Sequence, residues 1–448
     1  MAQELTIAQP CDMHLHLRDD AVLQSVASLS AAWAGRAIIM PNLQPPVTTA
    51  DMAVAYRERI LAALGPDTTF EPLMTLYLTD STSPDDIAAA KATGVIKSCK
   101  MYPAGATTNS DNGVTDLMKL VPTFAAMEVR TAAREVPPVQ TATCCDPPAC
   151  RASLLAAASC APPVAHLKCC ARLKLSQEHG IVLCIHGEVV GADVDFFDRE
   201  AVFMATKLEP MLAQVPNLKV VIEHATTKEA VAFVEASQHP GGIGCTVTPQ
   251  HLLYNRNALF NKGLNPHFFC LPILKREEDR LELVRAVTSG NKRFFAGTDS
   301  APHMESNKLS CCGSAGCFSA NAAAELYTEA FDNAGALDKL EGFLSTNGAE
   351  FYGLDKATTT ITLVKVTQTV PETIPLCTVP DPASCGECSP FVTLAPWGFD
   401  DLIRTRLFVA RRPCGAARAS ARRWGDRLEH QEVSIMYSST LSLPRSAT

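Results

Sequence analysis

Short apolar runs rich in β-branched residues alternate with longer amphipathic stretches along most of the chain. Eight runs are predicted to be strands: 11–17, 36–42, 73–78, 95–102, 181–188, 218–224, 244–249 and 293–299. Helical patterns lie between them, for example at 49–64, 85–93, 198–215 and 277–288. This alternation indicates a parallel sheet with crossover helices. We therefore predict an α/β fold of the (β/α)8 TIM-barrel type, with an open doubly wound sheet as the alternative.

The first predicted strand contains the motif Asp12-Met13-His14-Leu15-His16-Leu17-Arg18. Because side chains alternate between the two faces of a strand, His14, His16 and Arg18 share a face. Two neutral imidazoles aimed at one point suit a divalent transition metal, and a guanidinium suits a substrate anion. By itself the motif also fits two ordinary histidines on a half-exposed strand.

Other predicted strands end on similar residue types, and a barrel of this kind has its chemistry at the carboxyl ends of its strands. Side chains that bind metals or anions occur at or just after those ends: Asn42, Lys100, His186, His224, Asp299 and His303. One such histidine alone is commonly a core residue, and one aspartate a helix cap. The whole set predicts a single site at the C-terminal face of the barrel.

Composition narrows the class of protein. The net charge of -8 argues against a nucleic-acid binder that works through a basic surface. No apolar run reaches the roughly 20 residues of a transmembrane helix, and a predicted strand begins within about ten residues of Met1, which leaves no room for a signal peptide. We expect a cytoplasmic protein that binds neither nucleic acid nor membrane, with its 18 cysteines reduced.

Residues 129–177 interrupt the alternating pattern. They contain six Cys and six Pro but only two acidic residues, and no period of 2 or 3.6 runs through them. We predict an irregular insertion in a barrel domain spanning 1–376. It lies between a helix and the next strand, and therefore on the face opposite the chemistry.

Two other interpretations of this insertion stay open. One is a zinc module, although the spacing matches no standard pair of Cys-x-x-Cys motifs; its ligands would come from Cys144, Cys145, Cys150, Cys160, His166, Cys169 and Cys170. The other is a translated intron, because the codons of Val129, Arg130 and Gln177 allow GT and AG ends. Its removal would join Glu128 to Glu178.

The tail, residues 377–448, has nine Arg, no Lys and the pair Cys385-x-x-Cys388. Its mixed charges and lack of periodicity favour a disordered or spurious extension outside the barrel domain. A basic arm for nucleic acid or a protein partner is the alternative.

Further motifs resemble the zinc dihydroorotases of the amidohydrolase superfamily, and in particular their compact single-function type. Beside the motif at 12–18, they are Met40-Pro41-Asn42-Leu43, Lys100-Met101-Tyr102-Pro103, Ile185-His186-Gly187-Glu188, Glu223-His224-Ala225-Thr226-Thr227-Lys228, Cys270-Leu271-Pro272-Ile273-Leu274-Lys275-Arg276, Gly297-Thr298-Asp299-Ser300-Ala301-Pro302-His303 and Gly313-Ser314-Ala315-Gly316-Cys317-Phe318. The resemblance covers residues 5–128 and roughly 178–365, and leaves out the insertion and the tail.

The resemblance implies a binuclear zinc site inside the barrel. His14, His16 and Asp299 would hold one ion. His186 and His224 would hold the other. Lys100 would bridge the two Zn²⁺ ions as a carboxylated lysine, because an ammonium cannot ligate a cation whereas a carbamate offers two anionic oxygens.

The implied reaction is the reversible cyclisation of N-carbamoyl-L-aspartate to L-dihydroorotate in de novo pyrimidine (UMP) biosynthesis. In the hydrolytic direction the zinc ions would hold hydroxide ready at neutral pH, and Asp299 would act as general base and then acid. The family is commonly dimeric, so a homodimer is implied. Substrate contacts are implied for Arg18, Asn42 and His303 at the free carboxylate, for the backbone of Leu271 and Ala315 at the ring, and for a lid loop at Thr107 and Thr108.

Two alternatives to this function remain. A dihydropyrimidinase or hydantoinase would share the His-x-His motif and the lysine bridge, but its substrates lack the carboxylate that Arg18, Asn42 and His303 suit. The second alternative is a misfolded or catalytically compromised variant, because the insertion would expose apolar side chains and thiols during folding.

Overall fold

Eight parallel strands and a small antiparallel sheet form the framework of the protein. The computed structural model describes residues 4–128, 180–369 and 403–411, with the backbone alone in 367–369 and 403–411. The strands are β1 (Glu4–Ala8), β2 (Cys11–Leu15), β3 (Arg36–Ile39), β4 (Glu71–Tyr77), β5 (Ile96–Met101), β6 (Val182–Ile185), β7 (Val220–Ile222), β8 (Ile243–Val247), β9 (Phe294–Ala296), β10 (Thr360–Thr369) and β11 (Ile403–Arg411). Strands β2 to β9 pair in sequence order, each parallel to the next.

The parallel sheet closes where β2 meets the residues that follow β9. The N–H of Asp299 donates to the carbonyl of His14 at 2.9 Å, and the N–H of His16 donates to the carbonyl of Ser300 at 3.1 Å. Beside them the buried carboxylate of Asp12 accepts from the N–H of Thr298 at 2.9 Å and from its hydroxyl at 2.6 Å. The predicted (β/α)8 barrel is therefore confirmed, and the open sheet is not formed.

All eight predicted barrel strands are present, and each ends one to three residues before its predicted end. The alternation of apolar and polar residues continues past the observed strand ends because the residues there still face the barrel axis. The backbone hydrogen bonds between neighbouring strands end earlier. The residues just beyond the strand ends therefore belong to loops, and the candidate site lies among them.

Helices connect the strands and begin at side-chain caps where the sequence offers one. The hydroxyl of Thr49 accepts from the N–H of Met52 at 3.3 Å, and Ser83 forms a capping box with Asp86. The α-helices of the described residues are Asp20–Trp33, Ala50–Leu64, Pro84–Thr93, Val121–Met127, Arg199–Phe203, Glu209–Leu212, Lys228–Ala236, Pro249–Leu253, Glu277–Thr288, Glu305–Lys308, Ala323–Asn333 and Asn347–Tyr352. A π-helical turn, Met204–Leu208, joins two of them into the predicted 198–215 helix. Among the described residues, none of the helices has the length and apolar character needed to span a membrane.

The apolar core has two layers, because alternate strand residues face opposite sides. The larger layer packs strand residues against the helices, as Ile39, Leu76 and Leu183 do. The smaller layer fills the barrel interior, and Ala349 and Tyr352 from helix Asn347–Tyr352 pack into it; its strand residues are Cys11, Met13, Ile38, Met40, Leu73, Val182, Cys184, Val221 and Phe295.

A three-stranded antiparallel sheet, β1–β10–β11, was not predicted. Its third strand, β11, lies in the tail, so for residues 403–411 the expectation of a tail without regular structure is wrong. The run there is rich in β-branched and aromatic residues, and the free edge of β10 offers it a partner. The rest of the tail, including Cys385 and Cys388, lies outside the described residues.

The chain leaves the barrel after Glu128 and returns at Ile181. The N–H of Ile181 donates to the carbonyl of Met127 at 3.0 Å, so the two points of departure and return are adjacent. Ile181 precedes β6, which places this junction at the end of the barrel opposite the candidate site. By Cα proximity Val129–Gly180 forms a unit of its own. The predicted insertion and its candidate zinc ligands lie outside the described residues.

Candidate active site

A cleft opens at the C-terminal end of the barrel. Predicted site residues form most of its wall: His14, His16, Arg18, Asn42, Thr107, Thr108, His186, His224, Leu271, Asp299 and Ala315. Two predicted residues do not line it. Lys100 is fully buried, with its amine 5.2 Å from the centre of the Tyr102 ring, and His303 contacts Arg18.

His14, His16 and Asp299 form a cluster suited to a metal ion. One carboxylate oxygen of Asp299 lies 3.0 Å from Nε2 of His16 and 3.3 Å from Nε2 of His14, and the two Nε2 atoms are 3.2 Å apart. The three residues are buried, and their candidate ligand atoms all lie within 4.8 Å of one another. The strand pairing shifts register between Asp12 and Leu15, and such a bulge re-aims side chains next to a site.

His186 and His224 lie on the neighbouring side of His14. The centre of the His224 ring is 4.8 Å from that of His186 and 5.1 Å from that of His14. Nδ1 of His224 is buried without a hydrogen-bond partner among the described residues, and so is the amine of Lys100. Burial lowers the pKa of Lys100, which favours the neutral amine, the form that can add CO2.

Two imidazoles and the carboxylate at this site have the protonation states that metal ligands need, whereas the Glu223 charge outweighs burial and raises the pKa of His14. Burial lowers the pKa of His16 to about 4 and holds the pKa of His224 well below its usual value, so both imidazoles are neutral at pH 7. Burial alone would raise the pKa of Asp299. Hydrogen bonds from His14 and His16 outweigh burial and hold that pKa well below its usual range, so the carboxylate is charged.

Two carboxylates orient the histidines from behind. Glu223 lies 2.8 Å from Nδ1 of His14 and accepts from the hydroxyl of Thr246 at 2.5 Å. Glu188 lies 2.7 Å from Nε2 of His186. A carboxylate on the second ring nitrogen fixes the tautomer and direction of a ligand histidine. Each ring therefore presents its other nitrogen to the cleft.

A second wall of the cleft carries positive charge and backbone groups. Nε2 of His303 lies 2.9 Å from the carbonyl of Ala315 and 3.2 Å from a terminal nitrogen of Arg18. Because a carbonyl only accepts, His303 donates to Ala315. Burial and the Arg18 charge lower the pKa of His303 to about 3, so its ring is neutral. The terminal nitrogen of Arg18 then keeps its hydrogens for an anion.

The loop at 107–108 closes one side of the cleft. The amide of Asn42 donates to the carbonyl of Thr108 at 3.3 Å, and the hydroxyl of Thr108 donates to the carbonyl of Ala315 at 3.5 Å. Both contacts are near the upper limit of hydrogen-bond length.

Three site residues have left-handed backbone conformations that cost energy outside glycine. The φ angles are 57° at Arg18, 42° at His224 and 46° at Asp299. Hydrogen bonds hold each one: the carbonyl of Arg18 accepts from the hydroxyl of Tyr56 at 2.6 Å, the N–H of His224 donates to the hydroxyl of Thr246 at 2.7 Å, and the N–H of Asp299 donates to the carbonyl of His14 at 2.9 Å. The strain turns the chain sharply out of each strand, so that the side chains converge.

Comparison with known proteins agrees with this geometry. The model of the amidohydrolase family matches residues 10–134. A dihydroorotase of Delftia acidovorans is 49% identical over 369 residues, which are 82% of this chain and 91% of that protein. A dihydroorotase of Laribacter hongkongensis is 50% identical over 372 residues, which are 83% of this chain and 93% of that protein. The chain belongs to the dihydroorotase family.

Solved structures agree with this assignment. The Campylobacter jejuni dihydroorotase is 31% identical, with a TM-score of 0.65 over 84% of this chain and 92% of that chain. The Saccharomyces cerevisiae dihydroorotase, solved in complex with 5-fluoroorotic acid, is 28% identical, with a TM-score of 0.69 over 92% of this chain and 99% of that chain. An L-hydantoinase of Arthrobacter aurescens shares 13% identity at a TM-score of 0.56, which shows the fold alone.

Dihydroorotases of the amidohydrolase family are metal-dependent hydrolases of a cyclic amide in pyrimidine biosynthesis, and they act on small molecules. The expected family and reaction class are therefore confirmed, and the alternative of a hydantoinase is not favoured. Sequence reasoning missed some parts of the site. No role was predicted for Glu188 and Glu223, although each lies within two residues of a histidine that is a candidate metal ligand. Nor was a role predicted for Tyr102, Ala301 and Gly316, which line the cleft.

Glu223→Gln tests the orientation of His14. The substitution removes the negative charge that holds the proton on Nδ1 of His14, so we expect metal affinity to fall about 10–100-fold. Competition with a chelator measures the affinity. Glu229→Gln, an exposed carboxylate on helix Lys228–Ala236, is the matched control. Equal affinities in the two variants would show that Glu223 does not orient a ligand.

Proposed function

We propose that this chain catalyses the reversible ring closure of N-carbamoyl-L-aspartate to L-dihydroorotate with two zinc ions. One juxtaposition carries the proposal. The histidines and Asp299 line one end of a cleft, close to the buried Lys100 amine, which has no hydrogen-bond partner among the described residues. Arg18 lines the other wall and contacts His303. A metal pair beside an anion-binding group fits a cyclic amide with a free carboxylate. The similar yeast dihydroorotase was solved with 5-fluoroorotic acid, a ring compound with such a carboxylate, which supports this choice.

The residues present fit two zinc ions. His14, His16 and Asp299 would hold one, and His186 with His224 the other. Carboxylated Lys100 would bridge them, which would give its buried amine the partner it lacks among the described residues. When bound, the ions lower the pKa of a water molecule and polarise the ring carbonyl.

Asp299 would move the proton. Its carboxylate is charged and points into the cleft between His14 and His16, so it can accept a proton from the attacking water. It would then deliver that proton to the departing ring nitrogen as the amide bond breaks. In the direction of ring closure the same carboxylate takes the proton back from the carbamoyl nitrogen.

Arg18, Asn42 and His303 would hold the substrate's free carboxylate. The N–H of His303 that donates to Ala315 would turn to the substrate oxygen. The backbone of Leu271 and Ala315 would contact the ring, with Thr107 and Thr108 as the lid. The resemblance further implies a cytoplasmic location and a homodimer. Sedimentation of the purified chain would test the homodimer.

We also propose that the barrel domain spans residues 1–376 and that residues 129–177 within it are a dispensable insertion. Without them, Met127 is followed by Glu128, Glu178, His179, Gly180 and Ile181. The N–H of Ile181 already donates to the carbonyl of Met127, so these remaining residues have only a short gap to close. The shortened chain would thus keep helix Val121–Met127 and β6 where they are.

His303→Ala should weaken binding of the substrate carboxylate and leave both metal sites intact, since His303 ligates neither ion. We expect KM to rise about 10–100-fold, the effect of losing a hydrogen bond to a charged group. Steady-state ring opening and zinc analysis measure the two effects. His239→Ala, whose ring bonds the Leu218 carbonyl away from the cleft, is the control. Loss of zinc from His303→Ala would contradict the assignment.

Lys100 should carry an added carboxyl group when the protein is loaded with zinc. Native mass spectrometry of the intact chain measures it, with Lys100→Met as the control that cannot be carboxylated. A zinc-loaded wild-type chain of the same added mass as the control would rule out the bridge.

Dihydroorotate ring opening by the full chain with zinc, beside a chain lacking 129–177, tests function and domain organisation together. Activity in both would support the reaction and a tolerated insertion. Activity in the shortened chain alone would identify the insertion as the obstacle to folding. If neither chain is active while circular dichroism shows both folded, the proposed reaction is wrong.

A further inference from the structure

Lys308 ends the short helix Glu305–Lys308 and is only 4% exposed. Its ammonium donates to three backbone carbonyls: Phe269 at 2.8 Å, Ser314 at 2.9 Å and Gly316 at 2.8 Å. An ammonium has three hydrogens, so all of them are used. Hydrogen bonds from a charged donor are the stronger kind, and here they are shielded from water.

The three carbonyls belong to two separate segments of the cleft wall. Phe269 comes two residues before Leu271, and Ser314 and Gly316 flank Ala315. The N–H of Gly316 also donates to the carbonyl of Phe269 at 2.9 Å, so the segments are joined directly as well. One buried cation therefore ties together the two stretches of backbone that face the proposed ring site.

The same stretch supports the anion end of the cleft. The carbonyl of Ala315 accepts from His303 at 2.9 Å. Gly316 has a φ of +146°, and a Cβ there would lie 2.9 Å from Cδ2 of His303 and from the Cβ and carbonyl oxygen of Ala301. Segment 314–316 is thus seated closely on His303, and a shift of this segment moves both the ring contacts and the carboxylate contacts.

We propose that Lys308 is a positioning residue for substrate binding, which fixes the backbone of Leu271 and Ala315 at the separation that the substrate ring requires. It touches neither the substrate nor the metal-ligand cluster. The kinetic part of this inference rests on the proposed function. The structural part does not.

The kinetic test compares Lys308→Met and Lys308→Arg with Lys292→Met, which removes a lysine whose side chain is 70% exposed and pairs with Glu350. Displacing binding groups by about 1 Å costs up to about 100-fold, so in Lys308→Met we expect a KM increase of at least tenfold, with kcat changed far less. Zinc content should equal that of the wild type. Lys308→Arg, which keeps charge and donors, should recover part of the lost affinity.

A lysine that only stabilises the fold would behave differently. Lys308→Met would then give less folded protein, but the folded fraction would keep the wild-type KM, and that result would overturn the proposal. If KM rises equally in Lys308→Met and Lys308→Arg, a role for the side-chain N–H donors at position 308 would also be contradicted.

Hydrogen exchange followed by mass spectrometry tests the tie without any activity. In the substrate-free full chain, peptides covering 268–273 and 313–317 should exchange faster in Lys308→Met than in Lys292→Met, while peptides of β2 to β5 stay unchanged. If the wild-type chain is inactive but Lys308→Met still exchanges faster than Lys292→Met, the role of Lys308 in joining the two segments is supported and the proposed reaction is not. Unchanged exchange would overturn the proposal even if the wild type is active.

Discussion

Closure of the barrel between β2 and the residues after β9 is the constraint on which the site depends. The hydrogen bond from Asp299 to the carbonyl of His14, with the bonds from Thr298 to buried Asp12, brings a carboxylate next to two histidines that lie far from it in the chain. If this seam opened, the metal cluster would lose one ligand and the cleft one wall. Buried polar interactions of the fold therefore also assemble the chemistry.

The second feature is the pairing of charges among buried side chains of the site. Asp299 stays charged because its hydrogen bonds with His14 and His16 outweigh the effect of burial on its pKa, and Glu223 and Glu188 direct the histidines. Lys308 applies the same principle to the backbone, with a buried cation balanced by carbonyl dipoles. The strained φ angles at Arg18, His224 and Asp299 are maintained by this framework, since a free chain would relax them.

Local patterns predicted much of the fold, for identifiable reasons. The alternation of apolar runs with amphipathic stretches depends on nearest neighbours, so all eight barrel strands could be found, although their ends could not. The sheet β1–β10–β11 was not predicted because β1 and β10 pair across more than three hundred residues. The sequence of neither strand specifies the distant strand with which it pairs. Residues 403–411 were misjudged for the same reason, since an edge strand depends on the edge that receives it.

The sequence alone determined the types of side chain at the strand ends, their order, and through their motifs the family to which the chain belongs. The tertiary structure alone decided which atoms meet. The closed barrel decides the contacts of Glu223 with His14, of Glu188 with His186 and of Lys308 with its carbonyls. It also leaves the Lys100 amine without a hydrogen-bond partner in the part of the chain that the structure describes. The reason is physical: a residue's chemistry belongs to its side chain, whereas burial, hydrogen-bond partners and pKa belong to its surroundings, and segments distant in sequence provide these.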